Sequence, residues 1–227
     1  MNIFIFGSDI YLKFLKIVLF YIRTKIIINN ITEVILRTEV MSYTYEYPHF
    51  AITVDNVIFN LKDPNNPKVL LITRKNEPFK GKLALPGGFL DPDDRSAMSA
   101  AIRELKEETN LSLSYMFQVC ALTKEGRDPR ERCISIVYAD TVHDDFEGLI
   151  KAQDDASTVQ WVSLVGLRKD DLAFDHATAI WKSIQELFDD ESNCISLFDI
   201  KKEQYQHTKM ILDTIKFNLG QTFLPIF

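Results

Sequence analysis

The chain has 227 residues, enough for one domain with a sizeable core plus extensions. Hydrophobic residues make up 46% and charged residues 26%, the balance of an ordinary soluble globular protein. A net charge of -6 gives no general attraction to nucleic acid or to an anionic membrane, so neither is favoured as a partner.

The three cysteines, Cys120, Cys133 and Cys194, are odd in number and widely spaced. No CxxC pair or Cys/His cluster exists, which argues against a disulfide framework or a structural zinc. Cys120 and Cys133 lie in apolar runs and are expected to be small core residues, and a reducing cytoplasm is the expected location.

Residues 1 to 40 are rich in Ile, Phe, Asn, Lys and Leu, unlike the rest. The longest uninterrupted apolar run there, Ile17 to Ile22, is far short of the roughly 20 residues that span a bilayer. There is no basic start or small-residue cleavage site of the secretory type. These residues favour AT-rich codons, so the segment is expected to be an upstream region read as protein, with Met41 as the true start. The rival reading is a membrane-surface amphipathic helix.

From Met41 the elements follow in order. Ala51 to Phe59 is an apolar, β-branched strand, and Lys68 to Thr73 a second, joined by the turn cluster Asp63-Pro64-Asn65-Asn66-Pro67 into a hairpin. A loop with Pro78, Gly81 and Pro86 leads to Gly87-Gly88. Ser96 to Thr109 is predicted helical, with Met98, Ala101 and Leu105 on one face. Leu113 to Leu122 and Cys133 to Val142 are strands joined by the polar loop Lys124 to Arg132, and Thr158 to Leu164 is a short strand. Asp175 to Leu187 is a second helix, with Ala177, Ile180, Ile184 and Leu187 as its apolar face. One-faced helices among strands predict an α+β fold, helices packed on a mixed sheet.

The chemistry is concentrated after the glycine pair. Glu104, Glu107 and Glu108 stand at i, i+3 and i+4 and share a helix face. Carboxylates that close repel one another unless a cation intervenes. Hard ions such as Mg2+ or Mn2+ are bound by such oxygens and keep positions open for substrate phosphate. The glycines let the backbone approach closely, so that a carbonyl can face the same ion.

Gly87-Gly88 through Asp94, followed by Arg103-Glu104-Leu105-Lys106-Glu107-Glu108-Thr109-Asn110-Leu111, resembles the signature of the Nudix hydrolase family. That signature is a glycine, five residues, Glu, seven residues, then Arg-Glu-apolar-any-Glu-Glu-any-Gly-apolar. The resemblance covers roughly Met41 to Leu187. It implies an α/β/α sandwich, with Glu104, Glu107 and Glu108 as metal and catalytic carboxylates and Gly87 as a backbone carbonyl ligand. Arg103 would orient the glutamates. Two positions depart from the signature. Its first Glu falls at Asp94 counting from Gly88, and at Arg95 counting back from Arg103, so the loop holds one extra residue and Asp94 takes the acidic role by pairing with the arginine. Asn110 replaces the glycine, and Asn tolerates the left-handed conformation best after Gly.

Phe79 to Phe89, Gly126 to Arg132 and Leu172 to His176 are similar to one branch of the family. It holds ADP-ribose pyrophosphatases and nucleotide-sensing transcriptional regulators. The resemblance implies a nucleotide-like small-molecule substrate, with Arg74, Arg127 and Arg132 as substrate-binding residues; Arg130, in the loop of Arg127 and Arg132, is a further candidate to read phosphate or ribose. Asp175 is a candidate helix cap and His176 a structural partner. Asp154 and Asp155 are candidates for a further acid. After residue 190 the chain is expected to form a tail helix over Ile200 to Phe217, with Met210, Ile211 and Ile215 on one face, serving packing or a homodimer. The tail is too short for a complete DNA-binding winged helix. The expected organisation is therefore an extension at 1-40, the hydrolase domain at 41-190 and the tail at 191-227.

Overall fold

The computed structural model describes residues 19–21, 23–25, 46–47, 49–143, 146, 150–152 and 156–220. The chain divides into two units, Met1–Pro48 and His49–Phe227. In the first, residues 19–21 and 23–25 are helical, with the Thr24 hydroxyl donating to the Phe20 carbonyl. The remaining expectations for residues 1 to 40, those for Asp154 and Asp155, and the apolar end after Gly220 lie outside the described residues.

In the second unit a seven-stranded mixed sheet is built from β1 (Ala51–Asn60), β2 (Lys68–Arg74), β3 (Leu83–Ala84), β4 (Gly87–Phe89), β5 (Phe117–Leu122), β6 (Cys133–Val142) and β7 (Ala156–Ser163). The helices are α1 (Ala97–Thr109), α2 (His176–Phe188), α3 (Glu191–Phe198) and α4 (Tyr205–Gly220). β1 is central: it runs parallel to β6 along all ten residues, from Ala51 opposite Cys133 to Asn60 opposite Val142.

Period-two alternation sorts β1 between two cores. Val54 and Ile58 pack with Ala100, Ala101 and Leu105 of α1. Val57 and Phe59 pack on the opposite face, with Ile180 and Ile184 of α2 and Leu212, Ile215 and Leu219 of α4. Helices therefore cover both faces, as expected for an α/β/α sandwich.

The other edge of β1 is shared, and this positions the site. β2 meets β1 only at Phe59–Val69 and Asn60–Lys68, whereas β4 meets it at Thr53–Phe89, Val54–Gly88 and Asp55–Gly87. The expected hairpin is thus confined to its closed end, because β2 diverges to pair with β7 from Lys68 to Arg74. β3 and β4 are too short to show a hydrophobic period. Strand β5 starts at Phe117, not at Leu113.

The tail also differs from expectation. A helix over Glu191–Phe198 precedes the last one, and Cys194 and Phe198 are buried in the main core. On α4 the buried stripe is Tyr205, Thr208, Leu212, Ile215 and Leu219, which leaves Met210 61% exposed. Met210 lies off this i, i+3/i+4 stripe, which is why it does not share the buried face with Ile215. All three cysteines are free, Cys120 half-buried and the others buried. Among the described residues no helix is long and apolar enough to cross a membrane.

Candidate active site

Ser96 caps α1: its hydroxyl accepts the Ser99 N–H at 3.1 Å, and the Ser99 hydroxyl accepts the Ser96 N–H at 2.8 Å. The helix ends at Asn110, which adopts the left-handed conformation (φ 62°) and donates its N–H to the Lys106 carbonyl. The asparagine exit thus does the work of the signature glycine.

The two glycines before the helix have different jobs. A Cβ on Gly87 would sit 2.1 Å from the Val54 carbonyl oxygen, a backbone atom of β1. A Cβ on Gly88 would meet the Glu104 carboxylate at 2.4 to 2.7 Å. The first glycine lets two strands pair, and the second leaves room for a carboxylate.

Arg103 is the hub of the acidic face. Its Nε and Nη2 donate to Asp94 at 3.2 and 2.8 Å, Nη1 to Glu104 at 2.9 Å and to Glu107 at 3.0 Å, and Nη2 also to the Phe89 carbonyl. Asp94 thus pairs with the arginine despite the extra loop residue. The hydrogen bond from Arg103 is the main reason the Asp94 carboxyl titrates below its ordinary range. Burial pushes the Glu104 carboxyl up; Arg103 opposes this, and the charges of Glu107 and Asp91 add to it. Glu108, 6% exposed, accepts the Gly87 N–H at 2.8 Å through Oε2.

Among the described residues no three His, Cys, Asp or Glu side chains converge into a metal-holding cluster. Glu104 and Glu107 converge on one guanidinium nitrogen instead. The donor set is nevertheless all oxygen: Asp94, Glu104 and Glu107 share the single Arg103 guanidinium, and Glu108 lies on the same helix face, bonded to the Gly87 N–H. That excess of negative charge fits a hard divalent ion.

Where β2 and β4 part, a cavity of about 130 Å³ opens, lined among others by Asp55, Arg74, Gly87, Glu108, Arg127 and Arg130. Phe174 lies in its wall, with the Arg74 guanidinium 4.8 Å and the Arg130 guanidinium 5.7 Å from its ring centre. Arg130 is also 5.1 Å from the Phe89 ring and is held by Asp128 at 2.7 Å. Arg74 donates from Nε to the Pro78 carbonyl.

The predicted arginines separate. Arg74 and Arg127 reach the cavity, but the Arg127 side chain is only 5% exposed. It donates from Nε and Nη2 to Asp175 at 3.1 and 2.8 Å and from Nη2 to Asp55 at 3.4 Å, with Nη1 3.6 Å from the Cys133 sulfur. Arg132 is not among the lining residues. Its carbonyl accepts the Ala51 N–H at the start of the β1–β6 ladder, and its side chain turns to the Thr123 carbonyl and the Phe50 ring. Arg130 takes the place by the cavity. Asp175 stands at the N-cap position of α2 but makes no side-chain cap bond, because its carboxylate is drawn to Arg127.

Asp55 was not singled out from the sequence, although it is the lone acid in the apolar run Ala51 to Phe59. Its carboxylate accepts the Ser135 hydroxyl and lies 3.5 Å from His176 Nε2. His176 Nδ1 accepts the Leu85 N–H at 2.9 Å, so the neutral ring carries its proton on Nε2, facing Asp55. Burial raises the Asp55 pKa, but His176, Ser135 and Arg127 outweigh it and hold the value at about 2, against an ordinary 3.8. A depressed carboxyl stabilises the fold at pH above its unfolded value, and that stability is lost as pH falls from about 4 to about 2. The shift corresponds to about 2 kcal/mol. Asp55→Asn is therefore expected to be less stable than wild type by about that amount at pH 7, the gap closing towards pH 2. Urea unfolding across this range is the check, and a gap independent of pH would locate the effect elsewhere.

The NUDIX domain family model matches residues 49–183. The chain is 40% identical over 142 residues to an ADP-ribose pyrophosphatase of Methanocaldococcus jannaschii, covering 60% of this chain and 78% of that protein. It is 34% identical over 143 residues to the ADPR responsive transcriptional repressor NtrR of Acinetobacter baylyi, covering 63% of this chain. The match spans about half of that repressor's length, 56%. Among solved structures, the NUDIX domain of Shewanella oneidensis NrtR complexed with ADP ribose aligns with a TM-score of 0.56 at 31% identity, covering 64% of this chain and 94% of that one. The split sheet, the capped helix with its glutamate face and these matches together place the chain in the NUDIX domain family.

Proposed function

We propose that the protein is a metal-dependent hydrolase of nucleoside diphosphates linked to a second moiety, with ADP-ribose as the favoured substrate. Water attacks one phosphorus of the diphosphate, the P–O bond to the bridging oxygen breaks, and AMP and a phosphorylated partner leave as monoester dianions with release of two protons. The observation that carries this reading is the glutamate face of α1, whose Glu108 is tied to Gly87 at the lining of a cavity with Arg74 and Arg130. Glu104, Glu107, Glu108 and the Gly87 carbonyl would hold Mg2+ or Mn2+, which when bound supplies charge neutralisation for the diphosphate.

The side chains divide the remaining work. Arg103 fixes the orientation of Glu104 and Glu107. The raised pKa of Glu104 suits it to accept a proton from the attacking water. Arg74 and Arg130 present cationic groups for substrate oxygens, and Phe174 and Phe89 offer ring surface. Arg127 braces the wall through Asp175 and Asp55.

A second reading, a nucleotide sensor without turnover, is favoured by the likeness to the repressor. Incubation with ADP-ribose, NADH, a dinucleoside polyphosphate and a nucleoside triphosphate, each with Mg2+ or Mn2+, separates the two. The expected result is phosphate-monoester products from ADP-ribose, abolished by a chelator. Tight binding of ADP-ribose with no turnover of any substrate would reject the enzyme in favour of the sensor.

A further inference from the structure

The cavity beside Gly87 and Glu108, about 130 Å³, is small for the proposed substrate. Sites for drug-sized ligands occupy roughly 300 to 1,000 Å³. A second cavity of about 540 Å³ adjoins it and shares Arg127 and Phe174 as walls. It is floored by Ala121 and Leu122 of β5, closed on one side by Ala177 and Thr178 in the first turn of α2, and edged by Phe79.

Its charge runs against that of the protein. Lys124, Lys169, Lys182 and Arg127 line it, with Glu125 and Asp175 as the only acids among its lining residues. Arg127 and Asp175 neutralise each other at 2.8 Å, and Glu125, 92% exposed, leans towards Arg132 at 3.7 Å. Lys124 and Lys182 remain beside a partly apolar hollow, in a chain of net charge -6. The α2 terminus adds to this. Asp175 makes no cap bond there, and its carboxylate is paired with Arg127, so the first-turn N–H groups keep their positive end of the dipole without a side-chain cap. Thr178 and Lys182, four residues apart, share the face turned to the cavity.

Resting on the nucleoside-diphosphate reading above, we propose that this second cavity receives one end of the substrate, a sugar or nucleoside bearing a phosphate of its own. The diphosphate then lies by Gly87 and Glu108, and the terminal phosphate lies between Lys124 and Lys182. Within that class, a substrate carrying an additional phosphate monoester at this end is preferred over ADP-ribose, which binds without engaging the lysines. Ammonium groups at a wet cavity rim read such a phosphate as a point charge, so the preference weakens as salt is raised.

The test uses the full chain and three probes: ADP-ribose, its 2′-phosphate and its 1″-phosphate, which carry the extra group at opposite ends. Calorimetric titration of the wild-type protein is expected to show one phosphorylated probe binding about tenfold more tightly than ADP-ribose, a difference of about 1.4 kcal/mol. In Lys124→Ala/Lys182→Ala that preference is expected to fall to about twofold or less, with ADP-ribose affinity and melting temperature unchanged, while Lys182→Arg keeps it. Phosphorylated probes no tighter than ADP-ribose in the wild type, or a preference that survives the double substitution, would overturn the assignment. Turnover is followed alongside. Absence of hydrolysis with the lysine-dependent preference intact would reject the enzyme and leave the cavity's ligand standing; hydrolysis of ADP-ribose without that preference would reject only the cavity's role.

Discussion

Glu107→Gln and Glu108→Gln are each expected to lower kcat about a thousandfold at saturating Mg2+, equivalent to about 4 kcal/mol of transition-state stabilisation. Each substitution removes one charge from the proposed metal-binding face and keeps the side-chain shape. Neither is expected to cost much stability. Glu107 is half exposed and meets Arg103 at the surface, where ion pairs contribute little. At position 108 the amide oxygen of glutamine can still accept the Gly87 N–H that Glu108 Oε2 now takes at 2.8 Å. The check pairs kcat with a melting temperature for each variant. Near-wild-type turnover in both would mean that α1 presents only a solvated acidic face, and the metal-hydrolase reading would have to be abandoned.

The adjacent glycines are expected to fail in opposite ways. In Gly87→Ala the new methyl group would lie 2.1 Å from the Val54 carbonyl oxygen, and neither strand can retreat without opening the β1–β4 ladder. Such backbone overlap should cost about 3 kcal/mol or more and lower the melting temperature by roughly 10 °C. In Gly88→Ala the methyl group meets only the end of the Glu104 side chain, which can swing away. Stability should then change by less than about 1 kcal/mol, while kcat falls about a hundredfold because Glu104 is displaced from the acidic face. Thermal melts and turnover measured on the pair decide the matter. A stable Gly87→Ala protein, or a fully active Gly88→Ala protein, would show that the glycine pair is not the constraint described.

Local regularity explains which elements could be read in advance. Cys133–Val142 and the span of α1 follow from residue type and apolar spacing, properties of residues close in the chain, although Ser96 proved to be the cap rather than the first helical residue. The Glu104, Glu107 and Glu108 face follows from helical geometry alone, and the likeness of its surroundings to a known signature pointed to phosphate chemistry. Asn110 was legible for the same reason, since its left-handed tolerance is intrinsic to the residue.

The rest depended on partners far apart in sequence. No local pattern announces that β2 and β4 share one edge of β1, yet that division opens the cavity. Arg127 and Arg132 look alike in the loop, but Asp175, 48 residues from Arg127, draws one into the cavity wall, while the β1–β6 ladder holds the other outside it. Asp175 reads as a helix cap and is diverted by the same bond. Asp55 reads as an oddity in an apolar strand until Ser135 and His176 arrive from β6 and α2 to satisfy it. The sequence by itself determined helices packed on a mixed sheet and the acidic helix, because burial period and helix spacing are carried by neighbouring residues; the sandwich followed from the resemblance to the family. Which charged side chains face the ligand was decided only by the tertiary structure, because a buried charge goes to whichever opposite charge the fold brings within reach.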